Sequence, residues 1–342
     1  MVPHGAVLGI EIGGTKLQFG VGHGLEPDLV AFERYDVDRR AGAAGILKTI
    51  QEVAPRLIQQ YQVQRVGIGF GGPVQHGRVI RSHQVEGWQN WPLAAWCQEK
   101  LGRPAVVGND CDVAALAEAH WGAGRGQDPV FYVTVGTGVG GGLVVNGQLY
   151  GEGRPAVAEI GHLRPIVPSA DEDAVTVQTT VEGRASGLGI VQTLNALAGL
   201  TKDALANPTC YGVSDEKWQR DLQHIRDMMA DLQARRTELT ARDVARLAQQ
   251  GNRLAQTALD TAIATLGWAI AQVITLLAPQ VVVVGGGVAQ MGEKLFFEPL
   301  RRAVDRYVFP PLREHYQIRP AALGEQVVVI GAVLLAAQRV PA

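Results

Sequence analysis

One supersecondary unit occurs twice in this chain. Ala6 to Ile12 reads as a strand, Gly13-Gly14-Thr15-Lys16 as a glycine-rich turn, and Leu17 to Val21 as the returning strand. The pattern comes back at Val130 to Val135, with the turn Gly136-Thr137-Gly138-Val139-Gly140-Gly141-Gly142 and a return at Leu143 to Val145. Asn146-Gly147 then supplies a strong hairpin signal. A unit repeated once in each half implies two related domains facing each other. At 342 residues the chain also exceeds the size at which a single core usually stops growing.

Between the two copies stands Val106-Val107-Gly108-Asn109-Asp110. Ala105, Val106 and Val107 suit a buried strand, and Asp110 to His120 carries Val113, Leu116 and Ala117 at helical spacing. Taken alone, the pentapeptide reads first as a helix N-cap, with Asn109 or Asp110 as the capping residue. Yet a carboxylate just past a buried strand also lies where α/β proteins place their chemistry.

The remaining pattern alternates helices and strands. A helix is expected at Ala43 to Tyr61 and a strand at Arg65 to Phe70, ending in Gly71-Gly72-Pro73. The stretch Gly77 to Trp96 is rich in tryptophan (Trp88, Trp91, Trp96) and is expected to lie over a cleft. Helices follow at Ser186 to Ala198, along the stripe Trp218, Leu222, Ile225, Met229 and Leu232, and at Thr240 to Gln249 with Thr240 as N-cap. Thr261 to Gly292 has no charged residue and is long enough to span a bilayer. Pro279 cuts it, however, and Thr261, Thr265, Gln272 and Thr275 dilute it. It reads as a buried helix, Ala255 to Leu277, followed by a buried strand, Val281 to Val284. A further helix near Glu293 to Tyr307, a strand at Val327 to Ile330 and a last helix from Gly331 complete the expectation.

Charge excludes some functions. The net charge is −2 with no long basic run, so neither nucleic acid nor a membrane surface is an expected partner. Cys97, Cys111 and Cys210 are widely spaced and form no CxxC pair, which suits a reducing compartment. The start, Met1-Val2-Pro3-His4, lacks a basic region followed by an apolar run, so a cytoplasmic protein is expected.

Glycine lets a backbone approach a ligand, and turn N–H groups can converge on an anion. Gly13-Gly14-Thr15-Lys16 fits a plain hairpin and a phosphate cradle equally well. Five glycines within Gly136 to Gly142 are more than a hairpin needs and point to a ligand. Two rival nucleotide motifs fail. There is no GxxxxGK[ST], and Gly285-Gly286-Gly287 lacks the GxGxxG spacing of a dinucleotide site.

One ordered set of motifs spans nearly the whole chain. It comprises Glu11-Ile12-Gly13-Gly14-Thr15-Lys16, Gly69-Phe70-Gly71-Gly72-Pro73-Val74, Asn109-Asp110, Gly136 to Gly142, Glu159-Ile160-Gly161-His162, and Val283-Val284-Gly285-Gly286-Gly287-Val288. In this order the motifs resemble the ROK family (repressors, open reading frames and sugar kinases) of the hexokinase and actin-like ATPase superfamily. The resemblance implies an α/β fold of two actin-like (ribonuclease H-like) domains around a central cleft. A smaller N-terminal domain, 1–112, would be joined by the C-terminal segment 328–342, and a larger domain, 113–327, would carry the nucleotide-binding face. It implies transfer of the ATP γ-phosphoryl group to a hexose hydroxyl, with Asp110 as base. A placed carboxylate can take the hydroxyl proton as the phosphorus–oxygen bond forms.

Further roles follow from the same resemblance. Sugar ligands would be Asn109, Asp110, Glu159, His162 and Glu182, with Gly72 and His83 near other sugar-contacting positions. Gly13, Gly14, Thr15, Lys16, Gly136, Thr137 and Gly138 would clamp phosphates, and Gly286 and Gly287 would lie beneath the adenosine. Mg²⁺ would arrive with ATP, with Glu11 as an indirect contact. A homodimer is implied as well.

The chain departs from the family pattern in two places. Glu11 stands where most members have Asp, as in some fructokinase-like members. The positions of the family's zinc cysteines, counted back from Glu182, hold Thr180, Val175 and Asp173, so no zinc site is expected. Glucose is the first expected substrate, with fructose, mannose or an N-acetylhexosamine as alternatives. Two readings of another class are a sugar-sensing regulator, for which ten residues before Glu11 leave no room for a helix-turn-helix, and a binding protein without catalysis.

Overall fold

The protein is represented by a computed structural model that describes residues 5–82, 84–151, 153–165, 179–199, 215–235 and 237–339. The first half contains β1 (Val7–Ile12), β2 (Lys16–Gly22), β3 (Ala31–Asp36), α1 (Gly42–Tyr61), β4 (Arg65–Phe70), β5 (Val74–Gln75), β6 (Arg78–Val79), α2 (Leu93–Leu101) and β7 (Ala105–Asn109). Then come α3 (Asp110–Trp121), β8 (Val130–Val135), β9 (Val139–Val145), β10 (Gln148–Leu149), α4 (Val181–Ala185) and α5 (Gly187–Gly199). The chain continues through α6 (Asp215–Ala234), α7 (Ala241–Gln249), α8 (Arg253–Leu277), β11 (Val281–Gly285), α9 (Glu298–Tyr307), β12 (Gln317–Pro320) and α10 (Val327–Arg339).

The repeated unit builds two sheets of the same design. The first runs β3-β2-β1-β4-β7 and the second β10-β9-β8-β11-β12. In each, a central strand pairs antiparallel with the next strand in the chain and parallel with a later one. The Asn146-Gly147 signal gives the β9–β10 hairpin, with both residues in the left-handed region at φ 53° and 69°.

The two sheets are tied by exchanged helices. α3 follows β7, the last strand of the first sheet, and packs on β8 and β9 of the second. α10 follows β12, the last strand of the second sheet, and packs on β1, β2 and β4 of the first. The helices cross so closely at Gly331 that a Cβ there would sit 1.8 Å from Val113 O. Sheet glycines make room as well: a Cβ at Gly67 would lie 1.8 Å from Ala332 O, and one at Gly142 would lie 2.6 Å from Cys111 O. Glu118, buried near the end of α3, accepts N–H bonds from Ala123 (2.8 Å), Ala322 (2.9 Å) and Leu323 (2.9 Å). It fastens α3 to the loop that leads into α10.

Two expectations change. Val327 to Ile330 is the first turn of α10, not a strand. Its β-branched residues favour strands locally, but they are enclosed by α3 and strands of both sheets, and packing overrides propensity. In the tryptophan-rich stretch the three tryptophans pack inward, while Gln84 of the same stretch lies over the first glycine turn. Trp88 is buried edge-on to Phe70, with ring centroids 5.1 Å apart, while Trp91 and Trp96 pack on the same core. Finally, Gly140, Gly141 and Gly142 belong to β9 rather than to the turn, and they admit α3 and the Ala158 backbone. The turn proper narrows to Gly136-Thr137-Gly138.

α8 is long and apolar enough to cross a membrane, but most of it is buried in the second half against α5, α7 and α9. β3, α2 and β12 are elements that the residue pattern did not suggest.

Candidate active site

The C-terminal ends of β1, β4 and β7 meet at one point. Gly71 N donates to Ile12 O at 2.9 Å. A Cβ on Gly71 would find Asp110 Oδ2 and Ile12 O each at 3.4 Å, and Gly13 Cα at 3.8 Å. Asp110 therefore lies beside the first glycine turn. Gly14 is glycine for a local reason: a Cβ there would lie 1.7 Å from Gln84 Oε1, where the chain folds over the turn.

Asn109 does cap α3. Its Oδ1 accepts from Cys111 N at 2.8 Å and from Asp112 N at 3.2 Å. Its Nδ2 donates to Gly72 O at 3.1 Å, which ties the ends of β7 and β4 together. The cap thus aims Asp110, the first residue of the helix, whose Oδ1 accepts from Cys111 N at 2.9 Å.

The acids around Asp110 perturb one another. Asp110 is pushed up to about 6, first by loss of water, with the Cys111 N–H opposing and the charge of Glu159 adding to the rise. The helix N-terminus favours a negative charge by only ~0.3–1 kcal/mol, and burial outweighs it here. Asp112 is pushed up to about 7 by burial, then by Asp110 and Glu159. Glu11 is also raised to about 7 by burial, against the pull of Lys16, whose Nζ lies 3.1 Å from Oε1. Glu11 Oε2 is buried with no hydrogen-bond partner in the described structure. Asp112 is the site residue that pattern reading missed. The signal was a second acid in the same first turn, one residue beyond Cys111.

The second glycine turn is built mostly from backbone. Gly136 N donates to Gly138 O at 2.9 Å, Gly187 N to Gly136 O at 2.8 Å, and Val288 N to Val135 O at 2.9 Å. Gly286, at φ 91°, has no room for a side chain, since a Cβ would sit 2.4 Å from Val135 O. The ends of β8 and β11 and the start of α5 therefore converge, bringing Gly286 and Gly287 beside Gly136-Thr137-Gly138. Thr15 and Thr137 are exposed at the tips of their turns.

Glu182 is engaged with this turn. Its Oε2 accepts from Val139 N at 2.9 Å, and a Cβ on Gly138 would lie 2.4 Å from the same oxygen. Glu159 and His162 flank a short 3-10 turn, with His162 Nε2 3.9 Å from Glu159 Oε2. The His162 side chain is 64% exposed, so it is not an interior histidine. Thr180 caps α4, its Oγ1 accepting from Gly183 N at 3.0 Å. His83, Val175 and Asp173 lie outside the described residues. Among the described residues, no group of three or more His, Cys, Asp or Glu is arranged to hold a metal ion.

The profile of the ROK family matches residues 7–339. The chain is 28% identical over 340 residues to a glucokinase of Halalkalibacterium halodurans, covering 97% of this chain and 95% of that one. It is 27% identical over 344 residues to a glucokinase of Thermotoga maritima, covering 99% of each. Its structure matches that of a ROK family glucokinase from Streptomyces griseus in complex with glucose and AMPPNP. That match has a TM-score of 0.74 and 27% identity, over 98% of this chain and 100% of that one. The architecture is accordingly α/β, with two actin-like domains around a central cleft.

Proposed function

The chain belongs to the ROK family, and on that premise we propose that it is an ATP-dependent hexose kinase with Asp110 as general base. The observation that carries the reading is the junction of β1, β4 and β7, which sets Asp110 beside the Gly13–Lys16 turn. A base raised to about 6 is largely ionised at neutral pH, yet it takes a proton more readily than an ordinary carboxylate. The sugar hydroxyl passes its proton to Asp110 as its oxygen bonds to the γ-phosphorus, and ADP departs with the electrons of the broken bond.

Gly13, Gly14, Thr15 and Lys16 face Gly136, Thr137 and Gly138 across the donor phosphates in this reading. Gly286 and Gly287 support the nucleoside. Gly72, Asn109, Glu159 and His162 hold the sugar, with His83 in the same role. Glu182, bonded to Val139 N, steadies the second turn and leaves Oε1 for a sugar hydroxyl. The buried, unpartnered Oε2 of Glu11 fits an acceptor for a water of a divalent cation. When bound, Mg²⁺ would neutralise phosphate charge.

Glucose is the first substrate proposed, since the relatives described above act on it by name; fructose, mannose and N-acetylhexosamines follow. A cytoplasmic homodimer belongs to the same reading, on family likeness alone. The test is an ADP-release assay with Mg-ATP and a panel of hexoses and N-acetylhexosamines, without added zinc. Turnover dependent on one sugar supports the kinase and names its substrate. A flat panel from folded, ATP-binding protein would sink it.

A further inference from the structure

Arg39 lies at the first glycine turn for reasons set by the sheet. β3 runs antiparallel to β2, with Asp36 opposite Lys16, so the chain leaving β3 emerges at the turn. Val37 N donates to Thr15 O at 3.0 Å. Asp38 then caps a short 3-10 turn beginning at Arg39, its Oδ1 accepting from Arg40 N at 2.9 Å. Arg39 Nε donates to Gly14 O at 2.7 Å. The guanidinium is thereby pinned to the turn through Nε, while the residue stays exposed.

The charges around it are unbalanced. The charge of Asp110 acts on both Glu11 and Asp112, and that of Glu159 acts on Asp110 and Asp112. Lys16 shares its charge with Glu11 at 3.1 Å. Arg39 forms no ion pair with an acid among the described residues. A donor carrying several phosphate charges must therefore enter a region already rich in carboxylates. A guanidinium held by Nε still presents its two terminal nitrogens as a fork, the geometry that grips phosphate oxygens.

We propose that Arg39 is a phosphate-binding residue, whose terminal N–H groups grip the phosphate end of the nucleotide donor at the Gly13–Lys16 turn. The inference rests on the kinase reading and adds to it the cation that meets the donor's charge.

Calorimetric titration of wild type, Arg39→Ala, Arg39→Lys and Arg40→Ala with Mg-ATP and with AMP tests it. Arg39→Ala is expected to weaken Mg-ATP by about 10- to 100-fold, the range for a charge-assisted hydrogen bond, and AMP by less than about twofold. Arg39→Lys recovers part of the loss, because it keeps the charge but not the fork. Arg40→Ala binds both as wild type does, and matched thermal melts show that each variant is folded. Unchanged Mg-ATP affinity in Arg39→Ala overturns the inference and leaves the kinase reading standing. Equal losses for Mg-ATP and AMP overturn it too, since the residue would then be shaping the turn. Wild-type protein that binds no nucleotide overturns the kinase reading and the inference together.

Discussion

α3 and α10 occupy equivalent places in the two halves, yet their first turns have opposite chemistry. Each helix follows the last strand of its own sheet and packs on the other sheet. α3 opens with Asp110-Cys111-Asp112 under an Asn109 cap, whereas α10 opens with Val327-Val328-Val329-Ile330. Val329 is fully buried, and Gly9 and Gly20 of the first sheet close on it. The same helix position occurs twice, but only one of the two helices carries acids at its start. In the other, the first turn is core.

Four measurements would break or sharpen that contrast. Asp110→Asn should lower kcat by about 10²–10⁴-fold, the usual worth of a general base, with sugar affinity retained in calorimetry. Near-normal turnover would remove Asp110 from the chemistry. Next, Val329→Asp should cost about 3–5 kcal/mol in denaturant unfolding, because a buried charge there has no partner. A stable variant would mean that the start of α10 is open to water.

The third measurement is the pH profile. Asp110 must be ionised to act, and its carboxyl is raised to about 6, so kcat/KM should fall as pH drops through about 6. Glu159→Gln removes one raising charge and should move that limb to lower pH. A limb that does not move would separate Glu159 from Asp110. The smallest effect concerns stability. Asp112 is raised in the fold to about 7, so its ionisation costs stability as pH rises from about 4 to about 7. The full shift would be worth about 4 kcal/mol, but the Asp112 side chain keeps some water, so Asp112→Asn should be more stable than wild type at pH 8 by on the order of 1–2 kcal/mol, with the gain gone below about pH 4. Equal stability at both pH values would place Asp112 in water.

Much of the scaffold was legible because its signals are local. Glycine turns, the Asn146-Gly147 hairpin and apolar strand runs such as Val281 to Val284 each announce themselves within ten residues. What escaped depends on distant neighbours. Val327 to Ile330 looks like a strand until the sheets on either side are known. Gly140 to Gly142 looks like a ligand loop until the backbone of α3 is seen beside it. Asp112 passes for an ordinary helix-start acid, since only proximity to Asp110 and Glu159 distinguishes it. Glu182 stands out in the sequence only by its place in a motif, and its bond to Val139 N is invisible at that distance in the chain.

The exchange of helices also bears on the order in which the chain is made. The first sheet is complete once residue 109 has left the ribosome, and α1 can cover one face. Its other face, where Gly9, Gly20 and Gly67 wait for α10, stays bare until residues 327–339 have been synthesised. The floor beneath Asp110 is thus finished last, by a segment made more than two hundred residues after it.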